Sequence, residues 1–412
     1  VSRSAPVLCA VRGTAEAAVV RELGADPRLE VTRRCADLPE LLAAAAAGLG
    51  QVAVVSGGLS GVDRHAVEQL RSCGAWVVVL PDETGPERLS LLGADAVASG
   101  SDPASVAAAV HAVLAGGRTA AAPVVPAEDG PAEDTRSGRV VAVWGPTGAP
   151  GRTTVAITLA AELTSRIGAD GGTVLLVDAD TYGGTVAQAL GLLDEAPGIA
   201  AAARAAGTGR LDRTRLAALT PRLDDGLRLL TGISRAARWP ELPAASLEVV
   251  WATARELAAW TVVDCGFAVE QDEALSYDTR APVRNAATLS ALAEADLVVV
   301  VGAADPVGLQ RLVRGLFDLD EVGVPSARRL VVVNRVRASA CGPRPGAAVR
   351  EALRRFAGVE SVHLVPDDGP ACDAALLAGR SLTEHVPASP VRQAIGDLAA
   401  QVLSFQVGQG AH

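Results

Sequence analysis

Lysine and methionine are both absent from the 412 residues, and aromatic side chains make up only 3% of them. All 37 basic side chains are therefore arginine, so an arginine cluster says less than usual: arginine fills ordinary solvated positions as well as specialised ones. Without methionine and with few aromatics, alanine, valine and leucine must build the cores of a chain that is 49% hydrophobic. The packing should be mostly aliphatic. An excess of positive charge is missing too. The formal net charge of -10 argues against a protein whose main task is to coat nucleic acid.

The six cysteines (Cys9, Cys35, Cys73, Cys265, Cys341, Cys372) contain no C-x-x-C pair and no zinc-like spacing. Buried, reduced thiols are expected rather than a disulfide framework or a metal site. No uninterrupted apolar run approaches the roughly 20 residues of a membrane span, and the apolar part of the opening "VSRSAPVLCAVRG" is short for a signal peptide. A cytoplasmic protein is expected.

A chain of this length exceeds what one core usually serves, and its clearest shift in composition predicts the division. Residues 116–138, rich in Ala, Pro, Gly and acidic residues without helical or strand period, read as a flexible linker between domains at 1–115 and 139–412. In the first, "VLCAVRG", "LEVTRRC", "QVAVVSG", "WVVVLP" and "ADAVAS" alternate with helix-like stretches near 14–24, 37–48, 62–72, 85–92 and 103–114. That alternation predicts an α/β domain with a parallel, flavodoxin-like sheet covered on both faces. Its size and order resemble a response-regulator receiver. The strands, however, end in Val11-Arg12-Gly13, Ser56-Gly57 and Ala98-Ser99, without the carboxylates or lysine that phosphorelay chemistry needs. A docking or dimerisation module is expected.

The second domain carries apolar runs at "VVAVWG", "TVLLVD", "LRLLTG", "WTVVDCG", "LVVVVGA", "RLVVVNR" and "SVHLVPD", with helix-length segments between most of them. A larger, mostly parallel sheet with helices on both faces follows, and its ligand edge should lie at the carboxyl ends of the strands. At the first of those ends stands "GPTGAPGRTT", residues 145–154. It matches G-x-x-x-x-G-K-[ST] imperfectly: Gly151 is the last glycine, Arg152 stands at the lysine position, Thr153 at the magnesium position, and Pro146 replaces the first glycine. Gly148, Ala149, Pro150, Gly151, Arg152, Thr153 and Thr154 are the candidate phosphate cradle. Two later strand ends bear carboxylates, Asp178 and Asp180 in "LLVDAD" and Asp264 in "WTVVDCG". Each taken singly could be a helix or turn cap. Three in this order behind a P-loop-like turn point to a nucleotide site.

Residues 139–400 resemble the MinD/ParA family of deviant-Walker P-loop ATPases, and with the receiver-like front end the chain is similar to the CpaE/TadZ branch, whose members position pili, septa or other polar machinery. The resemblance rests on "GPTGAPGRTTVAITLAAEL", "VLLVDADTYGGTVAQALGL", "WTVVDCG", "ADLVVVVGAADPVGLQRL", "VVVNRV" and "LVPDD". It implies ATP or ADP with Mg²⁺ as ligands. By that resemblance Asp180 orients the attacking water, Asp178 supports the magnesium and the switch region, and Asp264 holds magnesium through water beside Thr153. Asn334 then lies at the adenine edge, with Pro366 and Asp367 as the opposite wall. The resemblance also implies a homodimer and partners in septum, pilus, secretion or chromosome-partitioning machinery.

Two positions depart from the family. Thr147 stands where a second lysine crosses the dimer interface, and Arg152 replaces the ordinary lysine with a larger, planar, more weakly hydrated cation. Phosphoryl transfer depends chiefly on placing charge, so slow hydrolysis or none is expected. The alternative is a non-hydrolysing scaffold that keeps the fold. Residues 204–242 read as a partner-facing edge, against the plainer role of covering the sheet. Arg350, Arg354 and Arg355 share a helical face that ParA-like proteins can turn to nonspecific DNA, but an ordinary solvated face is favoured here. The C-terminal "VRQAIGDLAAQVLSFQVGQGAH" has one cation, Arg392, and reads as a closing helix rather than a membrane anchor. Any recruitment to pole, septum or membrane would go through partners.

Overall fold

The computed structural model describes residues 4–13, 15–81, 89–116, 138–148, 151–168, 171–192, 197–270 and 282–405. The chain forms two compact units, each organised around one sheet. Most of the expected linker, and the first half of the helix expected near 85–92, lie outside the described residues.

The first unit runs β1 (Ala5–Ala10), α1 (Ala15–Ala25), β2 (Leu29–Arg34), α2 (Leu38–Ala46), β3 (Val52–Ser56), α3 (Arg64–Ser72), β4 (Trp76–Leu80), β5 (Ala96–Val97) and α4 (Pro103–Leu114). Its strands pair in parallel in the flavodoxin-like order β2-β1-β3-β4-β5. Side chains alternate across the pleat, and both sides find a core. Leu8, Val55, Val77 and Val79 meet Leu41 of α2 and Leu70 of α3, whereas Val7, Cys9, Val54 and Val78 meet Leu23 of α1 and Val110 of α4. Among the described residues, α2, α3 and α4 each start on an aspartate whose carboxylate accepts from the third helical N–H: Asp37 from Glu40, Asp63 from Ala66 and Asp102 from Ser105. At the carboxyl ends of the strands, Ser56 Oγ accepts from the Arg12 N–H at 3.0 Å and Arg12 Nη1 donates to the Gly58 carbonyl at 2.8 Å. That clasp occupies the strand ends where a receiver would carry carboxylates.

The second unit contains β6 (Arg139–Trp144), α5 (Arg152–Ile167), β7 (Val174–Ala179), β8 (Leu227–Leu230), α6 (Ala244–Leu257), β9 (Trp260–Cys265), α7 (Ala286–Glu294), β10 (Leu297–Ala303), α8 (Pro306–Glu321), β11 (Arg329–Val336), α9 (Pro345–Ala357), β12 (His363–Pro366), α10 (Gly369–Ala378) and α11 (Pro390–Ser404), and further helices and helical turns lie between these elements, among them Gly198–Gly207 and Arg213–Leu219. Seven parallel strands lie in the order β12-β11-β10-β6-β9-β7-β8. β7, β9 and β10 are buried throughout, as valine-rich strands covered on both faces must be.

On one face Val141 and Val143 pack with Leu159 and Leu163 of α5, which in turn meet Ile395, Leu398 and Val402 of α11. The C-terminal helix thus closes the domain, and its apolar stripe is covered. Glu162, fully buried on α5, accepts from Arg166 and from Thr383 Oγ1 at 2.9 Å, so this buried charge is paired. On the other face Trp144 and Trp251 are buried, and Trp251 Nε1 donates to Ser290 Oγ at 2.7 Å. All six cysteines are free; Cys9, Cys35 and Cys265 are buried and the other three partly so. Among the described residues no helix is long and apolar enough to cross a membrane.

Candidate functional site

β6 lies in the middle of the sheet, between β10 and β9, and the loop after it is the start of the site. Gly148 (φ +66°) and Gly151 (φ +85°) take left-handed conformations that bulkier residues resist. Gly151 is the N-cap of α5 and brings no side-chain hydrogen bond to the helix start. The first-turn N–H groups are therefore left for an anion, where the helix dipole also favours negative charge. Ala149 and Pro150 lie outside the described residues.

Register brings the carboxylates to this loop. β7 and β9 pair with Asp178 directly opposite Asp264, and β6 and β9 pair with Val143 opposite Asp264. Thr153 Oγ1 donates to Asp264 Oδ2 at 2.7 Å, joining the first turn of α5 to the end of β9. Asp264 Oδ1 is buried and has no hydrogen-bond partner. Asp178 accepts from the backbone N–H groups of Asp180 (3.2 Å) and Val186 (3.1 Å). Burial, and the neighbouring carboxylates, push both Asp178 and Asp264 well above the usual carboxylate range.

Asp180 holds the turn after β7. Its Oδ1 accepts from the N–H groups of Tyr182 (2.8 Å) and Gly183 (3.3 Å), and its Oδ2 lies 3.6 Å from Arg152 Nη2. Arg152 folds back over its own loop, with Nη1 donating to the carbonyls of Gly145 (2.9 Å) and Pro146 (3.4 Å). The substituted cation is thus engaged within the protein at three points.

Asn334, at the end of β11, is buried with its amide nitrogen 2.5 Å from where a Cβ on Gly151 would sit, so only glycine lets the strand end and the loop approach this closely. Its Oδ1 accepts from the N–H of Arg335, a residue held at φ +56°. A cavity of about 340 Å³ is lined by Gly151, Thr154, Asn334, Pro366 and Asp367 among others. The sequence-based candidates for cradle, carboxylates and base pocket therefore converge on one sheet edge, apart from the two outside the described residues.

Several neighbours of the site were not evident in the sequence. A Cβ on Gly184 would clash with the Asp178 carboxylate, and one on Gly232 would lie 2.7 Å from its Cγ. A Cβ on Gly266 would lie 3.2 Å from Asp180 Oδ1. These glycines make room for the carboxylates. Arg284 donates to the Thr181 hydroxyl (2.7 Å) and carbonyl (3.0 Å) and lies 3.8 Å over the Tyr182 ring, which also packs at a tilt against Phe267, with centroids 4.7 Å apart. "DTYGG" hinted at a special turn. Nothing pointed to a clamp 103 residues further on.

Among the described residues no group of three or more His, Cys, Asp or Glu is placed to hold a metal by itself. Magnesium in nucleotide sites takes one or two carboxylates, with phosphate oxygens and waters completing its shell. Thr153, the unpartnered Asp264 oxygen and the crowded Asp178 carboxylate fit that arrangement.

The second unit has the fold of ParA and MinD ATPases. The chain is similar to the ParA family ATPase of Chlorobium tepidum TLS, with 20% identity over 64% of this chain and 98% of that one and a TM-score of 0.53. It is similar to the cell division ATPase MinD of Pyrococcus furiosus, with 19% identity over 65% and 98% and a TM-score of 0.50. No family model matches the sequence. No curated protein does either. At these identities the likeness is one of fold, so the chemistry must be argued from the residues.

Proposed function

We propose that this chain is a nucleotide-dependent positioning protein of the MinD/ParA type, which binds ATP or ADP with Mg²⁺ and hydrolyses ATP slowly. The observation that carries the reading is the unpartnered, buried Oδ1 of Asp264, whose other oxygen accepts from Thr153 in the first turn of a helix whose N–H groups no side chain caps. A buried carboxylate with a raised pKa and a free oxygen is costly unless a cation completes it.

In this reading the N–H groups of the Gly148–Thr154 turn bind the phosphates, and Thr153 and Asp264, supported by Asp178, hold magnesium. Bound there with nucleotide, magnesium supplies charge neutralisation at the phosphates. Asn334, Pro366 and Asp367 enclose the base. Asp180, anchored by two backbone N–H groups, orients the attacking water with Oδ2. That oxygen now faces Arg152 at 3.6 Å, and Arg152 must leave the Gly145 and Pro146 carbonyls to reach a phosphate. Each rearrangement adds to the barrier, which supports slow turnover.

The same engagement of Arg152 favours a second reading, a non-hydrolysing scaffold of the CpaE/TadZ kind in which the fold serves assembly of pilus, septum or partitioning machinery. The first unit is then a docking module, its strand ends closed by the Arg12–Ser56 clasp. DNA is the less favoured partner: Arg354 of α9 is tied to Glu351 at 2.9 Å, which reduces the cationic face.

Titration of the full chain with fluorescent ATP and ADP in millimolar magnesium tests the binding step; absence of saturable binding overturns it. Asp180→Ala should keep nucleotide affinity within about threefold while phosphate release drops at least tenfold, a loss of about 1.4 kcal/mol or more in transition-state stabilisation. Unchanged turnover would remove Asp180 from its role.

A further inference from the structure

We propose that Arg311, on α8, is the second cation of the phosphate site and contacts the terminal phosphate of a bound nucleoside triphosphate from within the same chain. The proposal rests on the nucleotide reading above and concerns a residue that the loop motif does not include.

From Gly145 to Thr154 the loop carries a single charged side chain, Arg152, and that guanidinium already faces Asp180 and two loop carbonyls. Arg152 also acts electrostatically on Asp264, which lies opposite Asp178 in the sheet. A triphosphate adds roughly four negative charges to a place that already holds the Asp180 carboxylate, and one magnesium with one engaged arginine leaves the sum negative even with Asp178 and Asp264 neutral. A further cation is needed at the loop.

Arg311 is placed to be that cation. α8 starts just past the carboxyl end of β10, the strand beside β6, so its first turns lie at the ligand edge. Arg311 reaches the loop from this helix: its guanidinium fills the space where a side chain on Gly148 would be, with Nη1 in contact range. Gly148 has left-handed backbone as well, so both its conformation and the space before it are reserved. Arg311 also lines a cavity of about 570 Å³ with Pro146, Thr147 and Phe267. The same cavity is lined by Arg314 and Asp318, one and two turns further along the helix, where Arg314 faces the Asp318 carboxylate electrostatically. Arg311 is exposed and has no hydrogen bond or ion pair among the described residues. A planar guanidinium held at a glycine turn can grip a phosphate in bidentate fashion.

The test measures ATP and ADP affinities of the full chain in magnesium by fluorescent-nucleotide displacement, for the unaltered protein and for Arg311→Ala, Arg311→Lys and Arg314→Ala. Arg311→Ala should weaken ATP at least tenfold and ADP less than threefold, so that the ATP-to-ADP preference falls. Arg311→Lys should restore part of the ATP affinity, because the charge returns without the bidentate geometry. Arg314→Ala, the same charge change one turn away, should move the ratio less than twofold. An unchanged ratio in Arg311→Ala, or an equal fall in Arg314→Ala, overturns the assignment of Arg311 while leaving the nucleotide site standing. No saturable binding of either nucleotide to the unaltered chain overturns the nucleotide reading, and this proposal with it.

Discussion

Asp264 is caught between two states of the site. Without a cation, burial and the Asp178 charge favour its neutral form, so its folded pKa lies above its unfolded one. The sign follows from proton counting: the stability gained from the neutral carboxyl is fully present below the unfolded value, about 3.9, and is lost as pH rises through the folded value. Asp264→Asn removes that loss. In the nucleotide-free chain it should raise Tm more at pH 8 than at pH 5, with each kcal/mol gained worth about 2–4 °C in a unit of this size. Equal gains at both pH values in a thermal melt would count against the raised pKa. Gly232 offers a steric counterpart. A methyl group there would meet Asp178 Cγ at 2.7 Å, and overpacking of this kind costs about 1–3 kcal/mol. Gly232→Ala should lower the urea midpoint of the second unit accordingly. The three carboxylates were legible in the sequence because each ends an apolar run. The glycines around them were not, since Gly184, Gly232 and Gly266 are required by close approaches that only the folded chain brings about.

At the scale of elements, the strongest signals were the valine-rich strands and the aspartates before helices. α3 was expected over 62–72 and begins at Arg64, behind Asp63 as its cap. Asp63→Ala should cost about 1 kcal/mol, visible as a shift in the unfolding of the first unit and not of the second. Edge strands were less legible. "ADAVAS" shrinks to the two residues of β5, which among the described residues pairs only with β4 and so has half the hydrogen bonds that would extend it. Residues 204–242 contain the opposite edge, β8, which pairs with β7 in the sheet and on its outer side carries an isolated antiparallel bridge, Arg222 opposite Arg228. Helix α5 combines two functions, because its first turn faces the site while its body packs under α11. Leu159→Ala, at a fully buried position of that body, should destabilise the unit by about 2–5 kcal/mol and leave nucleotide affinity per folded molecule unchanged. Loss of affinity in the folded fraction would show that the cradle depends on the α5–α11 packing.

For the whole molecule, the two readings of the site differ in what nucleotide does to assembly. A positioning ATPase converts a difference in bound nucleotide into a difference in association, and a ligand shifts an equilibrium only by its differential affinity for the two states. Moving a population from 1:99 to 99:1 takes about 5.5 kcal/mol of such discrimination. The engaged Arg152 gives this discrimination a physical source in the proposed cycle: ATP can draw the guanidinium from Gly145, Pro146 and Asp180, reshaping the loop, whereas a chain without nucleotide keeps it in place. The full chain should therefore sediment as a monomer alone or with ADP and as a dimer with ATP and magnesium. Asp180→Ala should hold the ATP-bound dimer for longer, because the step that dissolves it is slowed. Sedimentation velocity at one protein concentration with no nucleotide, ADP or ATP separates the readings. A dimer of equal weight in all three conditions favours the scaffold, since assembly would then be independent of the loop that Arg152 occupies.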